Sequence, residues 1–419
     1  MTGRQRRLIV LAVLAIAVVS MPIFSQGLMT PQEIAFLQAY PEDGSAESQY
    51  ILGISYERGL GVPWDQTESV RWYRLAADQG HAGAQVSLGI RYATGDGVPQ
   101  NHGEAVQWFH LAADQDHADA QYMLGTAFQG GFGVTKDVAE AVRLFHLAAD
   151  QGHAGAQVSL GVRYGTGDGV PKDDAEVVRW FRLAADQGDA DAQHALGIMY
   201  SDGLGGLQQD YPEAMKWFRL GADQGDADSQ RALGMIYNHG KGVPKDDAEA
   251  VRWFRLAADQ GDPVAQFSLG VMYADGLGGL QQDDTEAVQW YQQAADQDNA
   301  NAQHALGIMY AVGLGGLQQD SAKAHRLYQL AAEQGHFRAM ILLGDQYWMG
   351  EGVPQDLVQA HMWLSLAEFH ESNQSVETPA ALAPEMSVSQ AVALMMTPAQ
   401  IAEAQRLARE WDAAHPREP

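Results

Sequence analysis

Histidines and carboxylates are the side chains here best suited to chemistry, and they recur at fixed intervals. His81, His117, His153 and His336 share one position of a repeating pattern with Asp189, Asp226, Asp262 and Asn299. Evenly spaced imidazoles raise the idea of a metal ladder. Geometry opposes it: stacked helices lie about 8–10 Å apart, whereas each ligand of a zinc ion sits about 2 Å from it. A position that accepts His, Asp and Asn alike reads instead as a helix N-cap or inter-repeat turn. Acid-rich turns such as Asp186-Gln187-Gly188-Asp189-Ala190-Asp191 lack the alternating ligands and distant Glu of a calcium loop.

Catalytic patterns are scarce. His370-Glu371 has no second histidine at metalloprotease spacing. Neither Gly-x-Ser-x-Gly nor Ser-x-x-Lys occurs. Gly240-Lys241 is followed by Gly242, which fails as a phosphate loop. The Gly-x-Gly pairs fall between helices rather than between a strand and a helix, so they do not read as dinucleotide binders. The expectation is no catalytic residue, no metal and no cofactor.

The elements that carry these residues are set by a repeat. Leu-Gly pairs occur at Leu52, Leu88, Leu124, Leu160, Leu196, Leu233, Leu269, Leu306 and Leu343, spaced 36 or 37 residues apart. Nine copies at that period predict a solenoid of stacked units, not two or three globular domains. In one unit, Ala192, Leu196 and Tyr200 fall at steps of four, one stripe of a first helix. A second helix follows an Asp-rich start, with Ala175, Val178, Phe181 and Ala185 as its apolar stripe. Seven of the ten tryptophans share one slot of that second helix: Trp72, Trp108, Trp180, Trp217, Trp253, Trp290 and Trp363. Such a slot reads as core. Glycine follows each repeat leucine although it costs a helix about 1 kcal/mol relative to alanine, so the expectation is a neighbour too close for a Cβ.

At this point the residues carry a family resemblance. The pattern Ala-Gln-x-x-Leu-Gly-x-x-Tyr-x-x-Gly-x-Gly-Val-Pro, then Ala-x-x-Trp-Phe-x-x-Ala-Ala-x-x-Gly, resembles the Sel1-like repeat, a relative of the tetratricopeptide repeat. The likeness covers about residues 45–370. Departures are small: Phe128 for Tyr, Thr135 for the turn Pro, Met340 for Gln in the last copy. The implied fold is all-α, a superhelical solenoid of about nine helix pairs with helical caps. The resemblance also implies a concave face, lined by first helices, that receives a peptide or protein segment.

Candidate contacts on that face come from the position two before each repeat leucine, which varies while the framework does not. Tyr50, Tyr122, His194, Arg231, Phe267 and His304 occupy it, and aromatic residues and arginine are the usual interface anchors. Arg91 and Arg163, three after their leucines, are further candidates.

The chain ends read differently. Arg4, Arg6 and Arg7 precede an apolar run from Leu8 to Val19, then Ser20, Met21 and Pro22. This is the plan of a secretory signal peptide over 1–25, or of an uncleaved anchor. Residues 26–44 are expected to hold an N-terminal capping helix, 371–386 an irregular linker, and 387–419 C-terminal capping helices and a tail. The 419-residue chain has 26 Lys+Arg against 53 Asp+Glu, a formal net charge of −27. Residues 1–25 carry three of those positive charges and no acid, so the remainder stands at −30. That balance argues against nucleic acid and against anionic lipid. It suits a partner with a basic segment. There are no cysteines.

The expected function is therefore a secreted, periplasmic if bacterial, non-enzymatic scaffold binding a protein or peptide. The alternative is an envelope accessory or enzyme acting on peptidoglycan or exopolysaccharide, or taking β-lactam-like ligands. Family members associated with β-lactams are cysteine-rich, which this chain is not.

Overall fold

The computed structural model describes residues 31–39, 44–373 and 387–415. The expected signal peptide and most of the expected linker lie outside the described residues. Among the described residues the regular elements are 21 α-helices and no strand. The chain divides into two compact units at Gln209/Asp210, each described below by itself.

After Pro31–Ala39, the helices come in nine pairs. Repeats one to four are Ala46–Arg58 with Gln66–Asp78, Ala82–Thr94 with His102–Ala113, Ala118–Gly130 with Val138–Asp150, and Ala154–Thr166 with Asp174–Asp186. Repeat five supplies Ala190–Asp202 to the first unit and Tyr211–Asp223 to the second. Repeats six to nine are Ala227–His239 with Asp247–Asp259, Pro263–Asp275 with Asp284–Ala295, Ala300–Val312 with Ser321–Glu333, and Phe337–Met349 with Leu357–Asn373. Val388–Ala393 and Pro398–Ala414 follow. Within each unit the repeat helices pack on their neighbours in chain order, the arrangement of a helical-repeat solenoid, and Val388–Ala393 and Pro398–Ala414 both pack on Leu357–Asn373.

Each boundary has a local cause. Second helices of the repeats start at an aspartate or asparagine whose carboxylate or amide oxygen accepts backbone N–H groups. Asp246 does so from Ala248 and Glu249, both at 3.0 Å. First helices end at a left-handed glycine such as Gly240, φ +65°, a conformation side chains with a Cβ avoid. The second glycine of each turn meets the preceding repeat: a Cβ on Gly169, φ +84°, would lie 2.7 Å from a methyl of Val138.

The glycine after the repeat leucine is explained by one kind of contact within each unit. A Cβ on Gly234 would lie 2.6 Å from the ring of Phe254, and one on Gly270 2.5 Å from Tyr291. In these repeats the close neighbour is the ring that follows the tryptophan slot in the same repeat's second helix, and in repeat nine it is Leu364, 2.7 Å from a Cβ on Gly344. The slot itself is core: Trp72, Trp180 and Trp253 are almost fully buried.

A glutamine relay joins successive repeats. Gln266 Nε2 donates to the Ala258 carbonyl of the preceding second helix (3.3 Å), and Gln266 Oε1 accepts from Gln297 at the end of its own repeat (2.8 Å). Gln85, Gln157 and Gln303 make the same pair of bonds. A buried amide satisfied at both ends fixes the distance between neighbours.

Both ends are covered. Ile34 and Leu37 pack with Leu52, Tyr56, Val62 and Trp72 of repeat one. At the other end Ala404 and Trp411 pack on repeat nine, with Trp411 edge-on to Trp363 at 5.8 Å.

Candidate functional site

In repeats five, six and eight the solvent face of the first helix is a stripe of three positions: five before, two before and two after the repeat leucine. Steps of three and four place them on one side of a helix. Repeat five presents Asp191, His194 and Ile198; repeat six presents Asp228, Arg231 and Met235; repeat eight presents Asn301, His304 and Ile308.

The middle position is shared with the next repeat. His81 caps Ala82–Thr94, its Nδ1 accepting from the Ala84 N–H at 3.0 Å. The same ring stacks on Tyr50, centroids 4.5 Å apart, and reaches Glu47 with Nε2 at 3.0 Å. His153 caps in the same way at 3.1 Å, stacks on Tyr122 at 4.4 Å and faces Asp119 at 3.4 Å. His336 caps Phe337–Met349 and stacks on His304 at 4.6 Å. Asp189, Asp226, Asp262 and Asn299 cap by side-chain oxygens. Only His117, opposite Val86 rather than a ring, makes no cap bond. The recurring histidine is thus a helix cap. No group of three or more His, Asp or Glu that could hold a metal ion occurs among the described residues.

The sequence-derived candidates fall into two sets. Tyr50, Tyr122, His194, Arg231, Phe267 and His304 all sit half-buried on the stripe. Arg231 bridges Asp228 of its own helix and Asp262, the cap of the next, at 3.1 Å. Phe267 lies against Tyr291 at 5.8 Å. Arg91 and Arg163 are corrections. They are only 8% and 6% exposed, at a core position filled elsewhere by Met199, Ile236, Met272 and Met309. Arg91 is locked between Glu57 and Asp96, and Arg163 to Asp168. Neither is presented to a ligand.

Burial sets the titration of these joints. It raises the Tyr50 and Tyr122 phenols and lowers the His153 imidazole, against which Asp119 acts. His304 is pushed down to about 4 by burial, then by His336 and Arg338.

Sequence reasoning missed the outer positions of the stripe. Val162, Ile198, Met235 and Ile308 are 37–49% exposed, and acids Glu47, Asp191 and Asp228 stand seven residues before the corresponding position. The signal was present: any residue two before the leucine shares its helix face with those five before and two after. A second apolar series, Leu111, Leu147, Leu183, Leu220 and Leu256, is exposed on the second helices.

Stacked helix pairs with capped, glutamine-linked joints define a helical-repeat protein of the tetratricopeptide type. The chain belongs to the Sel1 repeat family: the Sel1 repeat model matches residues 46–81, 82–117, 118–153, 154–189, 190–226, 227–262, 263–299, 300–336 and 338–368. Among solved structures it is similar to a protective antigen with an SLR fold, present in uropathogenic Escherichia coli strains. That match has 30% identity and a TM-score of 0.56, covering 91% of this chain and 87% of that one. It is also similar to a Sel1 repeat protein from Oxalobacter formigenes, at 30% identity and TM-score 0.52, covering 59% and 96%. No curated protein matches the chain. Sel1 repeat proteins are generally protein-interaction scaffolds, typically without enzymatic activity. No helix among the described residues is long and apolar enough to cross a membrane.

Proposed function

We propose that this chain is a secreted scaffold that holds an extended segment of a partner protein against the solvent faces of its first helices. One observation carries the reading. Val162, Ile198, Met235 and Ile308 repeat as exposed apolar side chains at one position of the first helix, two after the repeat leucine. Beside Met235 and Ile308 on the stripe, Arg231 and His304 are held by the adjoining caps Asp262 and His336, so a partner meets a surface already ordered there. Pre-organised anchors lose little entropy on binding.

The segment that fits has apolar side chains for these aliphatic positions and basic ones for the acids beside them, consistent with the net charge of −27. Export rests on the basic start and apolar run of residues 1–25; residues 26–44 and 387–419 serve as caps of the array. The test is affinity capture from envelope extract with residues 26–419 as bait, beside a variant carrying V162S, I198S, M235S and I308S. A protein held by the wild type and lost by the folded variant supports the reading. Equal capture by both overturns it, as does retention of glycan alone.

A further inference from the structure

The joints between repeats share one plan, and one departs from it in charge. In the first joint His81 has Glu47 beside it, and in the third His153 has Asp119. In the sixth, Arg231 has Asp262. The seventh joint carries no ionisable group at the three matching positions, which hold Phe267, Val288 and Asn299. In the eighth joint those positions are His304, His325 and His336, and Arg338 follows in the next helix. Where the first and third joints have an acid, His336 Nε2 meets the Asn301 amide oxygen at 3.2 Å. His325 is buried, 3.0 Å from Gln346 Oε1 and edge-on to Tyr347 at 5.1 Å, both in repeat nine.

The surroundings offer no counter-charge. The helix of 300–312 contributes neutral Asn301. That of 321–333 contributes Tyr328, with Lys323 lying over the Tyr310 ring and 4.0 Å from Asp320. That of 337–349 contributes Arg338 and Asp345, whose carboxyl is raised by burial alone. Asp356, ahead of 357–373, acts on Tyr347. No carboxylate acts on any of the three imidazoles.

We propose that the contact between repeats eight and nine is an acid-labile joint, closed at neutral pH and released when His304, His325 and His336 take up protons. A proton added to His304 or His336 would sit half-buried beside the other imidazole or the Arg338 guanidinium, and one added to His325 would be buried against Gln346 and Tyr347, with no carboxylate to neutralise any of them. All three imidazoles are held below their ordinary value, chiefly by burial. A histidine lowered in the closed state binds its proton more readily in the open state. Closure is therefore fully favoured above the ordinary value of 6.5 and weakens as pH falls from there toward about 4. For His304 alone, the closed-to-open ratio at pH 4.5 falls on the order of tens of fold. A repeat contacts only its neighbours, so opening stays local to repeat nine and the helices after it.

Hydrogen–deuterium exchange on the full chain at pH 7 and pH 4.5, corrected for intrinsic rates, tests this. The comparison variant is H304F/H325V/H336N, which copies the seventh joint into the eighth. The expected result is at least a tenfold loss of protection over 337–349 at pH 4.5 in the wild type. The variant should keep its protection, and so should 82–94 and 154–166 behind the acid-paired joints. Unchanged protection of 337–349, or equal losses at all three segments, would overturn the proposal. The comparison within the wild type decides the matter even if the variant misfolds.

Discussion

Gly234 shows how one missing methyl sets the fold of a repeat. In an isolated helix, replacing it by alanine would add about 1 kcal/mol of stability. Here the new Cβ would stand 2.6 Å from the Phe254 ring, and overpacking of that kind costs about 1–3 kcal/mol. We expect Gly234→Ala to destabilise the protein in urea unfolding; stabilisation would mean the ring moves aside freely. The need for glycine was legible because it recurs against its propensity, whereas the identity of the close ring was not. The cap position was equally legible, since His, Asp and Asn share only an acceptor. Arg91 and Arg163 were misread for a physical reason. A charged residue in a strip of variable residues looks exposed, and only the packed structure reveals Glu57, Asp96 and Asp168 around a core position.

At the scale of the element, paired helices were readable from the 36–37-residue period and the stripes at helical spacing. The glutamine relay was not, because its partners lie about thirty residues apart and are polar. It explains a departure in the last copy. Met340 replaces the relay glutamine, and the position of its partner is His370 rather than Gln. Both ends of the bond are gone together, a change that can be nearly neutral. Replacing one end alone is different. Gln303→Met would leave the Gln334 amide with the Leu330 carbonyl alone and the Ala295 carbonyl with the Asp298 N–H alone. We expect a loss of about 1–3 kcal/mol from two lost hydrogen bonds, read as a lower urea midpoint. The double variant Gln303→Met/Gln334→Leu should recover part of it. No recovery would show that the pair is not the origin of the loss.

For the whole molecule, charge and function follow from repetition. A formal net charge of −27 makes self-repulsion a cost of folding that salt screens, while exposed i,i+3 ion pairs such as Arg179–Glu176 contribute little in opposition. We expect the melting temperature to rise by a few degrees between about 20 mM and 200 mM NaCl, where the screening length shortens to below about 10 Å. A fall would place the weight on the ion pairs instead. The sequence made the solenoid and its family legible, because nine copies leave little freedom. It located the middle of the first-helix stripe but not its exposed edges, since exposure depends on how far each neighbouring cap overlaps the helix.

The central claim is that a partner lies along the first helices rather than the second. A photoreactive benzoylphenylalanine placed singly at Ile198 or Met235, and for comparison at Leu183 or Leu256, measures this directly in intact cells. All four side chains are exposed to a similar degree, so reach alone does not bias the outcome. The account predicts one discrete crosslinked protein from Ile198 and Met235 and none from Leu183 and Leu256. Crosslinks from the two leucine positions alone would contradict it.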